Sequence, residues 1–527
     1  MFKTKVINIL GIILVLLGIS MLPSALWNLP YIWTDMNANL DFATTNYYID
    51  TKGILLSSLI TTIIGLALYL WTKNYKLSNH NQDLQSRDGF IIVGLGWMLM
   101  AFFSALPFYF SAYSITYTDA FFESMSGLTT TGASILGQPI SLYESNNQVI
   151  KISSLSDGLL FWRSFTHFIG GMGIIVFSIA ILPLLGIGGV QLFRAEVAGP
   201  VAEKITPRVK QTAKLLWGIY VGFIIIQTIV LNFQGFTWLE SFCHSFGTMA
   251  TGGFSTFDES ILGAAKEYSK SNSFYFYSIQ WTFIIFMFIA ATNFTLHYAF
   301  ISKKSFDYFK DGEFKTYCYI FGLISILLFV TVFFNSNEYN SIIKVFTDSV
   351  FTTISLLTTT GFGTIDYITE WPESTHVFIF FLLFIGGTAG STTGGIKIIR
   401  TILVFKYISY EIKKLIHPKG VYNIKLAGNV VPDSVVKTTL GFYLFYIFIF
   451  IFTAIIFALF GNDLLLSLSA SASAIGNIGP GLGEIGPSGN WAHFNPILKW
   501  ISAFCMLLGR LEIFTVMVLF TKVFWKI

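Results

Sequence analysis

Four clusters of threonine, serine and glycine recur along this 527-residue chain, each closing a short, mildly apolar segment. They read Ala120-Phe-Phe-Glu-Ser-Met-Ser-Gly-Leu-Thr-Thr-Thr-Gly132 and Leu239-Glu-Ser-Phe-Cys-His-Ser-Phe-Gly-Thr-Met-Ala-Thr-Gly252. The third is Asp348-Ser-Val-Phe-Thr-Thr-Ile-Ser-Leu-Leu-Thr-Thr-Thr-Gly361, and the fourth, degenerate, is Leu464-Leu-Leu-Ser-Leu-Ser-Ala-Ser-Ala-Ser-Ala-Ile-Gly-Asn-Ile-Gly479. Their terminal glycines lie 120, 109 and 118 residues apart. Such stretches can turn backbone carbonyls and threonine hydroxyls inward, and rings of carbonyls replace the hydration shell of a cation. Glycine permits the positive φ that aligned carbonyls require. One copy would be ordinary helix-end and turn chemistry; four in register point to a shared task.

Other chemistries find little support. Cys243, Cys318 and Cys505 are far apart with no metal-ligand spacing, and the seven histidines form no zinc pattern. Gly390 and Gly395 are followed by Ile396-Lys397, which breaks a phosphate-loop reading, and no nucleophile and base converge within the apolar runs. The Lys and Arg are scattered rather than blocked, as nucleic-acid binding would need.

The elements that must carry these clusters are membrane helices. Hydrophobic residues make up 54% of the chain and charged ones 11%, against about 25% charged in soluble proteins, which excludes a water-soluble enzyme. Charge-poor runs long enough to cross a bilayer cover residues 6–34, 53–72, 89–118, 164–193, 215–239, 271–302, 316–337, 374–396, 438–462 and 500–521. The first could pass for a signal peptide, but Met21-Leu-Pro-Ser-Ala25 is a weak cleavage site, so a retained helix is expected. With the N-terminus inside, the inner segments hold 24 of the 32 Lys and Arg and 9 of the 28 Asp and Glu, the outer segments 6 and 18. The positive-inside rule then places both termini in the cytoplasm.

Each cluster falls in an outer loop between two spans. The expected unit is span, half-span, span, repeated four times. A dozen helical residues reach about halfway through the hydrocarbon, and non-helical backbone at that depth must be buried in protein or line a water-filled cavity. A half-helix entering from outside aims its partially negative C-terminal end at the membrane centre, which favours a cation. The expected fold is an all-α polytopic membrane protein: four helix–pore loop–helix repeats around a central pore, with an extra N-terminal helix pair. The boundaries are 1–75 for the extra pair and 89–190, 212–302, 315–410 and 435–527 for the repeats.

Two further features lie inside the spans. Gly386-Gly-Thr-Ala-Gly-Ser-Thr-Thr-Gly-Gly395, followed by Ile396-Lys397, is poor helix and reads as a flexible intramembrane gate under the clusters, or as tight helix packing through small residues. Arg510 lies mid-span, where ionisable groups face the bundle interior or an aqueous path; Glu512, two residues on, points elsewhere. Arg510 reads as an electrostatic barrier to cations or a structural clamp, and the two roles are compatible. Arg163 either orients a pore helix or snorkels to the interface. Asp119, Glu123, Glu240, Asp348 and Asp463, near the half-helix starts, read first as caps.

Ser126-Gly-Leu-Thr-Thr-Thr-Gly-Ala133, Ala250-Thr-Gly-Gly-Phe-Ser-Thr256, Leu357-Thr-Thr-Thr-Gly-Phe362, Gly476-Asn-Ile-Gly-Pro-Gly-Leu-Gly483 and Gly509-Arg-Leu-Glu-Ile-Phe-Thr515 together resemble the Trk/Ktr/HKT superfamily of potassium transporters. The extra helix pair favours its TrkH/TrkG branch. The resemblance spans essentially the whole chain and implies a selectivity filter of Thr129, Thr130, Thr131 and Gly132; Ala250, Thr251 and Gly252; Thr358, Thr359, Thr360 and Gly361; and Gly476, Asn477, Ile478 and Gly479. It implies a gate around Gly386, Gly387, Gly390, Gly394, Gly395, Lys397 and Arg510. It further implies a homodimer with one pore per subunit and a cytosolic, nucleotide-binding partner ring of the TrkA type. The function expected is potassium uptake across the bacterial cytoplasmic membrane, with K⁺ as the transported ion, no cofactor in this chain and no covalent catalysis. A secondary transporter coupling potassium to sodium or protons is the alternative, though titratable residues within the spans are few.

Overall fold

Gly11, Gly18 and Gly65 set how the chain begins. The helices Thr4–Ser20 and Leu22–Asp35 form one crossing with a turn at Met21, and Phe42–Lys73 returns beside it. A Cβ on Gly11 would lie 2.9 Å from the Gly65 carbonyl oxygen, and one on Gly18 the same distance from that of Ser58. Small residues at this spacing let two membrane helices touch backbone to backbone. Ser58 Oγ donates to Gly18 O (2.7 Å) and Asn8 Nδ2 to Thr72 Oγ1 (2.9 Å), which ties the two helices together through polar groups. The computed structural model describes residues 4–35, 42–73, 86–138, 149–180, 209–269, 272–303, 307–335, 341–426 and 429–525. The C-terminal end of the expected run 164–193, from residue 181, and most of the basic segment 194–214 lie outside them.

Four repeats follow. Their first spans are Ser86–Ser104, Val209–Phe233, Gly312–Asn335 and Asp433–Leu459. Each leads into a short pore helix: Tyr117–Leu128, Trp238–Met249, Ile342–Leu357 and Leu464–Gly476. At 12 residues the first two rise about 18 Å, well short of the roughly 30 Å hydrocarbon thickness. Capping starts three of the four. Thr116 accepts from Asp119 N, Thr237 and Glu240 form a capping box, and Asp463 accepts from Leu466 N. Each cap contributes about 1 kcal/mol. The capping expectation therefore fits Asp119, Glu240 and Asp463. Glu123 and Asp348 lie instead within their helices, 1% and 2% exposed, and bond to the loops beyond the clusters.

The second spans depart from the straight helices expected. The 271–302 run is two helices, Ser273–Ala290 and Phe294–Lys303, bent by 95°, and the 500–521 run bends by 115° after Pro496–Arg510. Asn293 makes the first break: its Oδ1 accepts from Thr295 N (2.9 Å), capping the new helix. Glu512, at φ 60°, makes the second. The 374–396 run breaks where its glycines predict, between Ser374–Leu382 and Ile398–Ile416. In the first repeat, Asp157–Ala180 is continuous over the described residues. Six described helices are long and apolar enough to cross a membrane alone and two bent pairs do so together. That gives up to eight crossings among the described residues; Asp157–Ala180 and the glycine-broken span lie where the remaining two are expected. Among the described residues the strand content is one two-residue pairing, Lys425–Leu426 with Asn429–Val430.

Candidate ion pathway

The backbone repeats with the clusters. After each pore helix the second cluster residue takes positive φ: Thr130 50°, Thr251 57°, Thr359 54° and Asn477 54°. Two residues on, a glycine does so again: Gly132 80°, Gly253 78°, Gly361 81° and Gly479 94°. Between them, the amides of Thr131, Gly252, Thr360 and Ile478 donate back to Ser126, Gly247, Ser355 and Ser473 carbonyls at 2.8, 2.8, 2.9 and 3.1 Å. One bond made four times defines one register. It also extends the expected filter: the second repeat's terminal glycine is Gly253, and Gly252 takes the place of Thr131 and Thr360. Matching Gly253-Phe254 to Gly361-Phe362 would have found this in the sequence. A β-branched residue at positive φ is strained, and three threonines share that conformation here.

The four loops close into a ring. A Cβ added to Gly132 would fall 2.1 Å from Gly252 O, to Gly253 2.0 Å from Thr360 O, to Gly361 2.1 Å from Ile478 O, and to Gly479 2.6 Å from Thr131 O. Each terminal glycine thus presses on a carbonyl of the next repeat, in the order one, two, three, four and back to one. The same four glycines line a single outer depression together with Pro480, Asp258 and Trp491. Only glycine admits such an approach.

The hydroxyls behave differently from expectation. Thr129 pairs with Thr131 (2.8 Å between Oγ1 atoms) and Thr358 with Thr360 (2.7 Å). Thr251 Oγ1 donates to Thr392 O (2.8 Å), and Thr359 Oγ1 accepts from Gly394 N (2.8 Å). These hydroxyls clasp the loops to each other and to the chain below, while Thr130 Oγ1 has no partner among the described residues. Ala250 and Gly476 carry no hydroxyl, so repeats one and three have the threonine clasp while two and four lack it. Asn477 compensates in the fourth, its Nδ2 donating to Thr131 Oγ1 (3.0 Å) and Met506 O (2.8 Å).

The glycine-rich break lies directly against this ring. An isolated parallel bridge, Ile385 to Ile396, draws its ends together. Gly390 and Gly395 have φ of 72° and 64°. A Cβ on Gly386 would meet Gly394 O at 2.1 Å, on Gly387 Ala291 O at 2.8 Å, and on Gly394 Gly476 O at 2.6 Å. These glycines bend the chain and pack closely against their neighbours. Thr392 Oγ1 shares its proton between Met249 O (3.0 Å) and Ala290 O (3.1 Å). Lys397 Nζ donates to Thr393 Oγ1 (2.7 Å) and to the Thr393 carbonyl. Glu313, buried at the start of its span, was not singled out in the sequence. Its Oε1 accepts from Ala389 N and Ile399 N, 2.9 Å each, and so ties the middle of the loop to its far end.

Arg510 is 3% exposed. Its Nη1 donates to Thr392 O (2.6 Å), the same carbonyl that Thr251 holds, while Nε and Nη2 have no protein partner. Glu512 pairs not with it but with Arg400 (2.7 Å). A guanidinium with two nitrogens unpartnered among the described residues therefore stands beside the loop. Arg163, 2% exposed, does not snorkel; it pairs with Glu123 at 2.6 Å. The three cysteines are unbonded thiols.

A fourfold ring of carbonyls held on half-helices, with broken helices beneath it and apolar membrane-length helices around it, defines a multi-pass membrane protein of the pore-loop class. A family model described as TrkH, a cation transport protein, matches residues 57–526. The Trk system potassium uptake protein TrkH of Vibrio parahaemolyticus is 38% identical over 527 residues, 99% of each chain. TrkH of Escherichia coli K12 is 38% identical over 91% of this chain and 94% of its own, and TrkG of that strain 34% over 86% and 88%. The crystal structure of the potassium transporter TrkH from Vibrio parahaemolyticus superposes with a TM-score of 0.83 at 35% identity, covering all of both chains. The chain belongs to the TrkH family of cation transport proteins.

Proposed function

We propose that this chain takes up potassium across the cytoplasmic membrane by permeation through its four-repeat pore. The observation that carries the reading is the closed contact ring of Gly132, Gly253, Gly361 and Gly479 on the carbonyls of Gly252, Thr360, Ile478 and Thr131. Four aligned main-chain oxygens can take over hydration of a monovalent cation at little cost, because they are held before the ion arrives. Below, Thr392 O sits between Thr251 and Arg510, so the loop 383–397 obstructs the route and the guanidinium repels cations that reach it. Opening requires these bonds to exchange. The names of the relatives, potassium uptake proteins of Trk systems, support the same assignment. By the same resemblance the chain works as a homodimer under a TrkA-type cytosolic ring, with both termini in the cytoplasm.

The test is ⁸⁶Rb⁺ uptake into proteoliposomes holding the purified chain, with K⁺ or Na⁺ as competitor, and Gly361→Ser alongside. A side chain there meets Ile478 O at 2.1 Å, so the variant should transport less or select less well. Uptake unaffected by the substitution would reject the ring as the filter. Absence of uptake, with and without the partner ring, would reject the function.

A further inference from the structure

The four seams of the ring are not fastened alike. Glu123 and His244 occupy one register, six residues before the caps Thr129 and Ala250 of their pore helices, and Ser134 and Ser255 another, five residues after those caps. Glu123 accepts from Ser134 Oγ (2.9 and 3.1 Å to its two oxygens) and from Ile135 N (3.0 Å); His244 Nε2 lies 3.0 Å from Ser255 Oγ. The equivalent pairs in repeats three and four, Thr352 with Gly363 and Ala470 with Gly481, have no serine to receive such a bond.

Arg163 joins the first two. Nε binds Glu123 Oε1 (2.6 Å), Nη2 donates to Ser134 Oγ (3.0 Å), and Nη1 crosses to Ser255 O in the next repeat (2.9 Å). Its guanidinium carbon stands 3.7 Å from the centroid of Phe254, the residue after Gly253. One helical turn on, His167 Nε2 accepts from Phe254 N (3.2 Å), which leaves Nδ1 to donate to Gly127 O (2.9 Å). Among the described residues the bonds to the filter loops at the other seams are neutral, Ser260 and Ile261 to Gly363, Tyr367 to Gly481, and Asn477 to Thr131; the charged pairs Lys499–Asp119 and Arg400–Glu512 join repeats four and one and repeats three and four away from those loops.

We propose that Arg163 is a positioning residue for ion selection, locking the filter strands of repeats one and two in register across their seam. The proposal rests on the filter reading above. A rigid seam keeps Gly132 and Gly253, and the carbonyl of Gly252 between them, at the spacing a dehydrated potassium ion fills. A relaxed seam lets those oxygens close on the smaller sodium ion. Phe254 makes the coupling direct, since its ring and its amide are held from the same helix.

The experiment compares K⁺ and Na⁺ as competitors of ⁸⁶Rb⁺ uptake in the same vesicles, so a lower yield of folded protein does not move the ratio. Arg163→Gln leaves Glu123 buried without its partner; Arg163→Lys and the neutral double variant Glu123→Gln/Arg163→Gln avoid or cancel that charge and decide the matter if the first does not fold. Lysine cannot reach Ser134, Glu123 and Ser255 together. The expected result is that each Arg163 variant loses about threefold or more of the K⁺ preference, as coupled networks of this kind do. Wild-type preference in all of them, with Gly361→Ser still impaired, would overturn the seam proposal and leave the filter standing. Wild-type preference in Gly361→Ser as well would overturn the filter reading on which it depends.

Discussion

On the proposed route Arg510 would meet the passing cation with a positive charge, and its bonded partner is a neutral carbonyl, Thr392 O at 2.6 Å. At a separation of about 8 Å and an effective dielectric of about 20, a unit charge opposes a monovalent cation by roughly 2 kcal/mol. Arg510→Ala should therefore raise ⁸⁶Rb⁺ flux by on the order of thirtyfold. Arg510→Lys, which keeps the charge and one donor, should stay near the wild-type rate. Equal rates for all three, in folded protein, would reduce Arg510 to a clamp. That the residue is mid-membrane was legible from its neighbours. That two of its nitrogens are unpartnered among the described residues and that Glu512 belongs to Arg400 was not, because side chains two positions apart diverge and each finds its partner on another span.

Among elements, the glycine-rich break is the least helical piece of any span, and its shape depends on a residue outside it. Glu313 reaches in from the preceding span to hold Ala389 N and Ile399 N. Bonds of this kind to a charged acceptor are worth about 1.5–3 kcal/mol each. Glu313→Ala should leave both amides without that acceptor and raise uptake in the absence of any partner, read as ⁸⁶Rb⁺ accumulation per folded chain. Unchanged uptake would show that the loop's shape comes from its own glycines. The break itself is written in the composition of Gly386–Gly395. The matching breaks at Ala291–Asn293 and Leu511–Glu512 are not, since one asparagine or one glutamate scarcely disturbs an apolar run. They appear only when three broken spans meet under one ring: Ala291 O accepts from Thr388 and Gly390 O from Phe294 N.

For the whole molecule, orientation follows from charge asymmetry, which the lipid surface and insertion machinery read directly. A cysteine at Lys419 should react with a membrane-impermeant maleimide only from the cytoplasmic side, and one at Glu370 only from outside, in a background where Cys318 is serine. Both sites are exposed, and Cys243 and Cys505 are buried. The reverse pattern would invert the topology and, with it, the side from which the pore helices enter.

Sequence by itself determined what depends on local composition and spacing: apolar membrane helices, four cluster-ended pore helices, positive φ at cluster-ending glycines, and a break at the run of glycines. Hydrophobicity and backbone sterics act residue by residue, so they can be read along the chain. The tertiary structure decided what needs several repeats at once. Gly253 rather than Gly252 closes the second strand because only it faces Thr360 O. The hydroxyls of Thr129, Thr131, Thr251, Thr358, Thr359 and Thr360 are engaged within the protein because Thr392, Gly394 and their own neighbours offer partners. Arg163 lies buried between two repeats whose serines are 121 residues apart, at Ser134 and Ser255, and no local pattern announces a bond across that distance.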